Sequence, residues 1–228
     1  MSPARSGIVR TSSAFARAWL GLYEIFYLGL KSGSRLVFRT LFRVRRVGPA
    51  PRLGLGGQIL CPNHQSYLDP AFIQLVVGPR VTFVMTNAFY RVPGANLFFR
   101  LVGAIPVAPG RLAWSSVRRA VALLRTGATL VVFPEGKLST TGEIGVAQRG
   151  VGLLARRGRA TVVPVAIDGS MRAWPKGARW LRTSDVRLAF GEPLRCGDGT
   201  ARDGDQAFAD LILERVRSLK DGLPAARP

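Results

Sequence analysis

From Gly57 onward the sequence alternates short apolar runs with longer stretches of helical periodicity, and that alternation confines the chain to a few architectures. Runs of four to seven residues are too short for helices and rich in Val, Ile, Leu and Phe; they predict strands over 58–61, 81–85, 104–107, 129–133, 161–167 and 186–190. Between them, 70–77, 95–102, 113–126, 150–157 and 205–220 carry helical spacing. The expected fold is α/β, a mixed sheet flanked by helices. The 228 residues suffice for one principal domain, drawn over 51–228, after a distinct N-terminal element over 1–50.

That N-terminal element reads as a helical hairpin. Residues 14–42 hold two apolar helical segments parted by the small, polar Ser32, Gly33 and Ser34. The first, 19–30, contains Glu24 and falls short of the roughly 20 apolar residues that span a bilayer. Lying in one leaflet suits it better: Trp19, Tyr23 and Tyr27 are aromatics that settle at headgroup depth, and Arg39, Arg43, Arg45 and Arg46 follow them. An ordinary helical pair packed on the core is the alternative.

Charge points the same way. Thirty-three basic residues against 13 acidic ones give a net charge of +20, a field that draws polyanions or anionic surfaces. The arginines cluster beside apolar helical patterns, and the mean hydropathy of +0.17 is high for a soluble protein, so anionic membrane lipids are the expected partner. Arginines spread over solvated faces would be the simpler explanation. No nucleic-acid partner is expected, because the arginines are not interleaved with aromatics on one face of the α/β region and no recognition module is visible. Two cysteines outside any C-x-x-C pair and one histidine offer neither a disulfide framework nor a metal cluster. With no secretory cleavage pattern, these features predict membrane association on the cytoplasmic face.

His64, the single histidine, follows the first predicted α/β strand within CPNHQSYLDP, where a strand turns toward a helix. Imidazole can take a proton from a hydroxyl near neutral pH and return it later. Asp69 stands five residues on, a spacing that separates two residues on a regular helix but lets them meet across a turn. If they meet, the carboxylate would fix the ring tautomer and stabilise the cation formed during proton transfer. Asp69 before Pro70 is equally a good helix N-cap.

A second constellation is TLVVFPEGKLSTTG over 129–142, an apolar strand running into polar residues. Gly136 permits close backbone approach to a ligand; Lys137 and Ser139 are donors suited to a phosphate or polar headgroup; Glu135 could bind a hydroxyl or orient a basic group. A strand ending in a plain turn would look the same. Arg111 closes the stretch GAIPVAPGR, and Pro164 interrupts the strand VVPVAI, which suggests an edge or a functional bulge there.

In this order, the pieces resemble the glycerolipid acyltransferase family that includes the 1-acyl-sn-glycerol-3-phosphate acyltransferases, over about residues 57–194. Asn63, His64 and Asp69 match its Asn-His-x-x-x-x-Asp block, residues 133–136 its Phe-Pro-Glu-Gly block, and residues 163–165 its Val-Pro-Val strand. The resemblance implies that His64 is the general base and Asp69 its partner. A lysophospholipid hydroxyl would then attack the thioester of acyl-CoA or an acyl carrier protein directly, with no cofactor beyond that co-substrate. No G-x-S-x-G nucleophile elbow is present. The chain departs from the family where Pro109 occupies an arginine position, with Arg111 two residues on, and where Lys137 and Leu138 replace Thr-Arg. Arginine binds phosphate bidentately and lysine does not, which leaves the acceptor headgroup open.

Overall fold

The computed structural model describes residues 38, 40–51, 53–54, 56–77, 81–86, 104–107, 114–197 and 202–224. The expected hairpin over 14–42, apart from its last residues, the expected helix over 95–102, and Arg111 lie outside them. The chain divides between Thr40 and Leu41 into two compact units, and the second holds the α/β domain. Its described strands are β1 (Phe42–Val47), β2 (Gln58–Pro62), β3 (Thr82–Thr86), β4 (Ile105–Val107), β5 (Thr129–Val132), β6 (Thr161–Asp168), β7 (Ser184–Phe190) and β8 (Leu194–Arg195). The helices are α1 (Asp69–Val77), α2 (Trp114–Arg125), α3 (Gly150–Gly158), the single turn α4 (Ser170–Ala173) and α5 (Arg202–Asp221).

The strands form one sheet in the order β1-β7-β6-β2-β5-β3-β4, with β8 also paired to β6. Most pairs are parallel; β6 runs antiparallel to β7 and β8, so the sheet is mixed. Strands β2 and β5 are buried along their whole length, which explains their unbroken apolar runs. Alternate residues of β2 serve opposite faces: Ile59 and Cys61 join the core under α2, α3 and α5, while Leu60 is buried outside that cluster. On the β1 side, Phe72 of α1 meets Phe42 edge to face at 5.3 Å between ring centroids.

One sequence expectation changes and a second narrows. Residues 43–46, read as the basic flank of a membrane segment, lie in β1, hydrogen-bonded in register with β7 from Phe42↔Ser184 to Val47↔Ala189. As the edge strand among the described strands, β1 tolerates arginines turned to solvent. Pro164 is not on an edge, since β6 lies inside the sheet, but it faces a bulge: Val165↔Phe190 and Val162↔Leu194 leave residues 163–164 of β6 opposite the three residues 191–193. The Pro164 carbonyl accepts the Gly191 amide at 2.9 Å, in the gap between β7, which ends at Phe190, and β8, which begins at Leu194. A strand residue's N and O face the same side, so the missing N–H falls at this irregularity, where the regular pairing with β7 has already ended.

Candidate active site

The register Gln58↔Thr129 to Leu60↔Val131 aligns β2 with β5 in parallel, so the chain leaves both strands at the same edge of the sheet. That edge, outside the carboxyl ends of parallel strands, is where α/β folds place their sites. The loop after β2 carries His64; the loop after β5 carries residues 133–139. Asn63 fixes the first by a two-way bond to β6: its Nδ2 donates to Ile167 O at 2.9 Å and its Oδ1 accepts from Ile167 N at 2.7 Å.

His64 Nδ1 lies 2.9 Å from Asp69 Oδ2. Asp69 is fully buried, and the same Oδ2 accepts the backbone amides of Gln65 at 2.7 Å and Ser66 at 2.8 Å. Since a carboxylate only accepts, Nδ1 carries the proton and Nε2 is left as the lone-pair nitrogen. The choice the sequence left open is thereby made: Asp69 opens α1, but its carboxylate turns back to His64 instead of capping the helix. Phe133 stacks on the imidazole at 3.9 Å between centroids, 24° from parallel, so the ring is gripped at its edge and on one face.

The loop after β5 is assembled around Glu135, which is buried. Its Oε1 accepts the His64 amide at 2.9 Å and its Oε2 the Gly145 amide at 2.8 Å. Both carboxylate oxygens thus hold backbone, where the sequence suggested a contact to a substrate hydroxyl or a basic group. Ser139 likewise has internal partners: its hydroxyl donates to Glu143 O at 2.8 Å and accepts from Gly142 N at 3.0 Å, leaving no proton for a phosphate. Its amide donates to His64 O at 2.8 Å, so the two loops are joined by backbone as well. Gly136 takes the left-handed φ of 64° that closes the Phe133–Gly136 turn, a geometry glycine adopts without strain. Lys137 beside it is exposed and is the described donor among the expected binding residues that faces solvent.

Three residues of α5 pin this loop from behind. Lys220 Nζ donates to Gly142 O at 2.9 Å, Arg217 Nη2 to Gly145 O at 2.6 Å and Gln206 Nε2 to Ala147 O at 3.1 Å. Gln65 Nε2 reaches the same Gly142 carbonyl at 2.5 Å. On the other flank Trp174 O accepts the Tyr67 amide at 3.3 Å and the Ser66 hydroxyl at 3.0 Å. None of these partners had a local sequence signal, although Asn63 stood inside the matched block. Among the described residues no group of three or more His, Cys, Asp and Glu side chains is placed to hold a metal.

A profile of the family described as Acyltransferase matches residues 42–168, more than half of the chain. The chain belongs to that family. The matched span of this acyltransferase-family protein begins with β1 and ends with β6, and so contains both loops of the site. The chain is similar to chloroplastic 1-acyl-sn-glycerol-3-phosphate acyltransferases of Brassica napus and Arabidopsis thaliana. Each is 27% identical over 159 residues, which cover 68% of this chain and 43% and 42% of theirs, so the match spans less than half the plant proteins' length. A 1-acyl-sn-glycerol-3-phosphate acyltransferase of Bacillus subtilis is 22% identical over 171 residues, 73% of this chain and 83% of its own. In fold the chain resembles the crystal structure of the 1-acyl-sn-glycerophosphate acyltransferase of Thermotoga maritima, with a TM-score of 0.67 over 94% of this chain and 82% of that one, at 22% identity.

Proposed function

We propose that this acyltransferase-family protein moves a fatty acyl group from acyl-CoA or an acyl carrier protein to the free hydroxyl of a lysophospholipid, 1-acyl-sn-glycerol-3-phosphate or a related acceptor, with His64 as general base. The observation that carries this reading is the His64–Asp69 contact, a 2.9 Å pair whose carboxylate is buried and held by two amides. His64 Nε2 takes the acceptor's proton as the hydroxyl oxygen attacks the thioester carbonyl. The C–S bond then breaks, and the departing thiolate recovers the proton from the imidazolium. Asp69 keeps the ring in the required tautomer and stabilises its charged form.

Transfer is direct. Cys61, three residues before His64, is the one thiol near enough in sequence to suggest a covalent intermediate, but it is fully buried in β2 and burial pushes its thiol far above the ordinary range. It stays a protonated core residue. The steps need no cofactor beyond the thioester co-substrate. Lys137, exposed beside the turn, and Arg111 serve the acceptor's phosphate in this reading, Lys137 as a point charge. In this reading the reaction runs at an anionic membrane, on the cytoplasmic face; the net charge of +20 supports the attraction to anionic lipid. Among the described residues no helix is long and apolar enough to cross a bilayer.

Transfer of label from acyl-CoA or acyl carrier protein to a panel of lysolipids, in wild type and His64→Ala, tests the proposal. Label on a lysophospholipid that the substitution abolishes is the expected outcome; no transfer with either donor refutes it and leaves a non-catalytic lipid-binding role.

A further inference from the structure

The segment 174–183, between α4 and β7, carries the most exposed aromatic among the described residues. Trp180 is 79% exposed and Leu181 beside it 51%. Exposure of one large apolar residue is unremarkable, but an adjacent Trp and Leu on one loop need a reason. The loop has its own internal order. Arg182 N donates to Ala173 O at 3.0 Å across its base, Ala178 N to Pro175 O at 3.1 Å, and the Trp174 indole to Ala178 O at 3.0 Å. Trp180 and Leu181 are thus presented by a built turn.

We propose that this loop is a membrane-contact surface, with Trp180 and Leu181 entering the headgroup region of an anionic bilayer beside the active site. Residues 174–183 contain Lys176, Arg179 and Arg182, all exposed, and no acidic residue. An apolar tip with cations on both sides is complementary to an interface that is apolar within and anionic outside. Tryptophan settles at headgroup depth. Leucine favours the bilayer over nucleic acid, since it gains from acyl chains and cannot stack on bases as an aromatic does. Position agrees: β1 begins where the loop ends, Phe42 pairing with Ser184, and there Leu41 and Arg43 are exposed too.

The inference rests on the lipid-acceptor reading above and adds a mechanical link to it. Trp174, at the loop's root, holds the Tyr67 amide and Ser66 hydroxyl, and Ser66 N in turn holds Asp69 Oδ2. A loop seated on the bilayer therefore fixes the His64 turn relative to the surface where a lysolipid resides.

The test uses the full chain with Leu181→Cys in a Cys196→Ser background, labelled with an environment-sensitive fluorophore; Cys61 is buried and stays unlabelled. Added phosphatidylcholine vesicles carrying phosphatidylglycerol should shift the emission to the blue and make it quenchable by headgroup-labelled nitroxide lipid. Arg179→Gln with Arg182→Gln should weaken vesicle partitioning about fivefold per charge removed, an effect that salt erases. Trp180→Ala with Leu181→Ala should slow acylation of an acceptor embedded in vesicles while sparing one dispersed in detergent. An unchanged spectrum when the protein sediments with the vesicles overturns the proposal, as does a response to single-stranded RNA without one to vesicles. Insertion of the label in a chain that transfers no acyl group upholds the membrane contact and refutes the enzymatic reading alone.

Discussion

Asp69→Asn tests the centre of the site, because the structure dictates how the new side chain must sit. Three donors converge on Oδ2, from His64, Gln65 and Ser66, whereas the buried Oδ1 has no hydrogen-bond partner. Asparagine must therefore keep its oxygen at the Oδ2 position, since an NH2 there would face three N–H groups. The ring keeps its tautomer, and the NH2 lands in a buried place with no acceptor, at a cost in stability of roughly 1–3 kcal/mol. What disappears is the negative charge facing the imidazolium. At about 4 Å between charge centres and an effective dielectric near 20, that attraction is about 4 kcal/mol when the proton is fully transferred and roughly half of it in a half-advanced transition state. A loss of about 2–4 kcal/mol corresponds to roughly 30- to 1,000-fold in kcat. Initial rates against lysophosphatidate, corrected for the folded fraction by urea titration, should show kcat falling with the acceptor KM little changed. Combined with His64→Ala, the substitution should slow the enzyme no further, because the two residues act as a unit. A folded Asp69→Asn within threefold of wild type, or a double variant showing additive losses, would refute the reasoning.

Other substitutions probe the frame around the pair. Glu135→Gln turns one accepting oxygen into an NH2 facing either the His64 or the Gly145 amide, so stability measured in urea should fall by about 1–3 kcal/mol, with a parallel drop in kcat as His64 loses its anchor. Gly152→Ala would place a methyl 2.0 Å from the Asp205 carbonyl where α3 meets α5, and the forced shift should cost about 1–3 kcal/mol or more in thermal or urea unfolding, with the Arg156–Asp205 ion pair strained alongside. Burial raises the Cys61 thiol above its ordinary 9.0, so above that pH the unfolded chain releases a proton that the native chain retains. Stability should then decline with rising pH by up to about 1.4 kcal/mol per unit, and Cys61→Ala should flatten that alkaline slope whatever its effect at neutral pH.

The central strands were legible because β2, β5 and most of β6 are covered on both faces, which favours apolar residues at successive positions, the buried polar Gln58 and Thr129 standing only at the starts of β2 and β5. β1 escaped for the opposite reason. FRVRRV satisfies a sheet only at an edge, where its arginines can face water, and the same letters suit the flank of a membrane helix. α4 and β8, four and two residues long, are too short to show a period. His64 and Asp69 were visible as candidates, but their meeting depends on the 66–68 turn, which reverses the chain before α1 and brings a five-residue separation down to one hydrogen bond. Glu135 and Ser139 were read outward, toward a ligand, because their partners at 142–145 lie along a loop whose path no local pattern sets. Lys220 and Arg217 lie more than seventy residues from the carbonyls they hold, a distance across which only the fold can bring them.

That last contact orders events in time. The His64 turn and the loop after β5 leave the ribosome well before α5, yet the carbonyls of Gly145 and Ala147 take their side-chain bonds from Arg217 and Gln206, and that of Gly142 shares Lys220 with Gln65. A nascent chain that has reached β6 possesses every residue of the base pair but lacks the brace that holds the neighbouring loop in shape. The last braces on the site therefore wait on the docking of α5, and a chain cut short before it would carry the His-Asp pair beside a loop held by the bonds that Glu135, Ser139 and Gln65 supply.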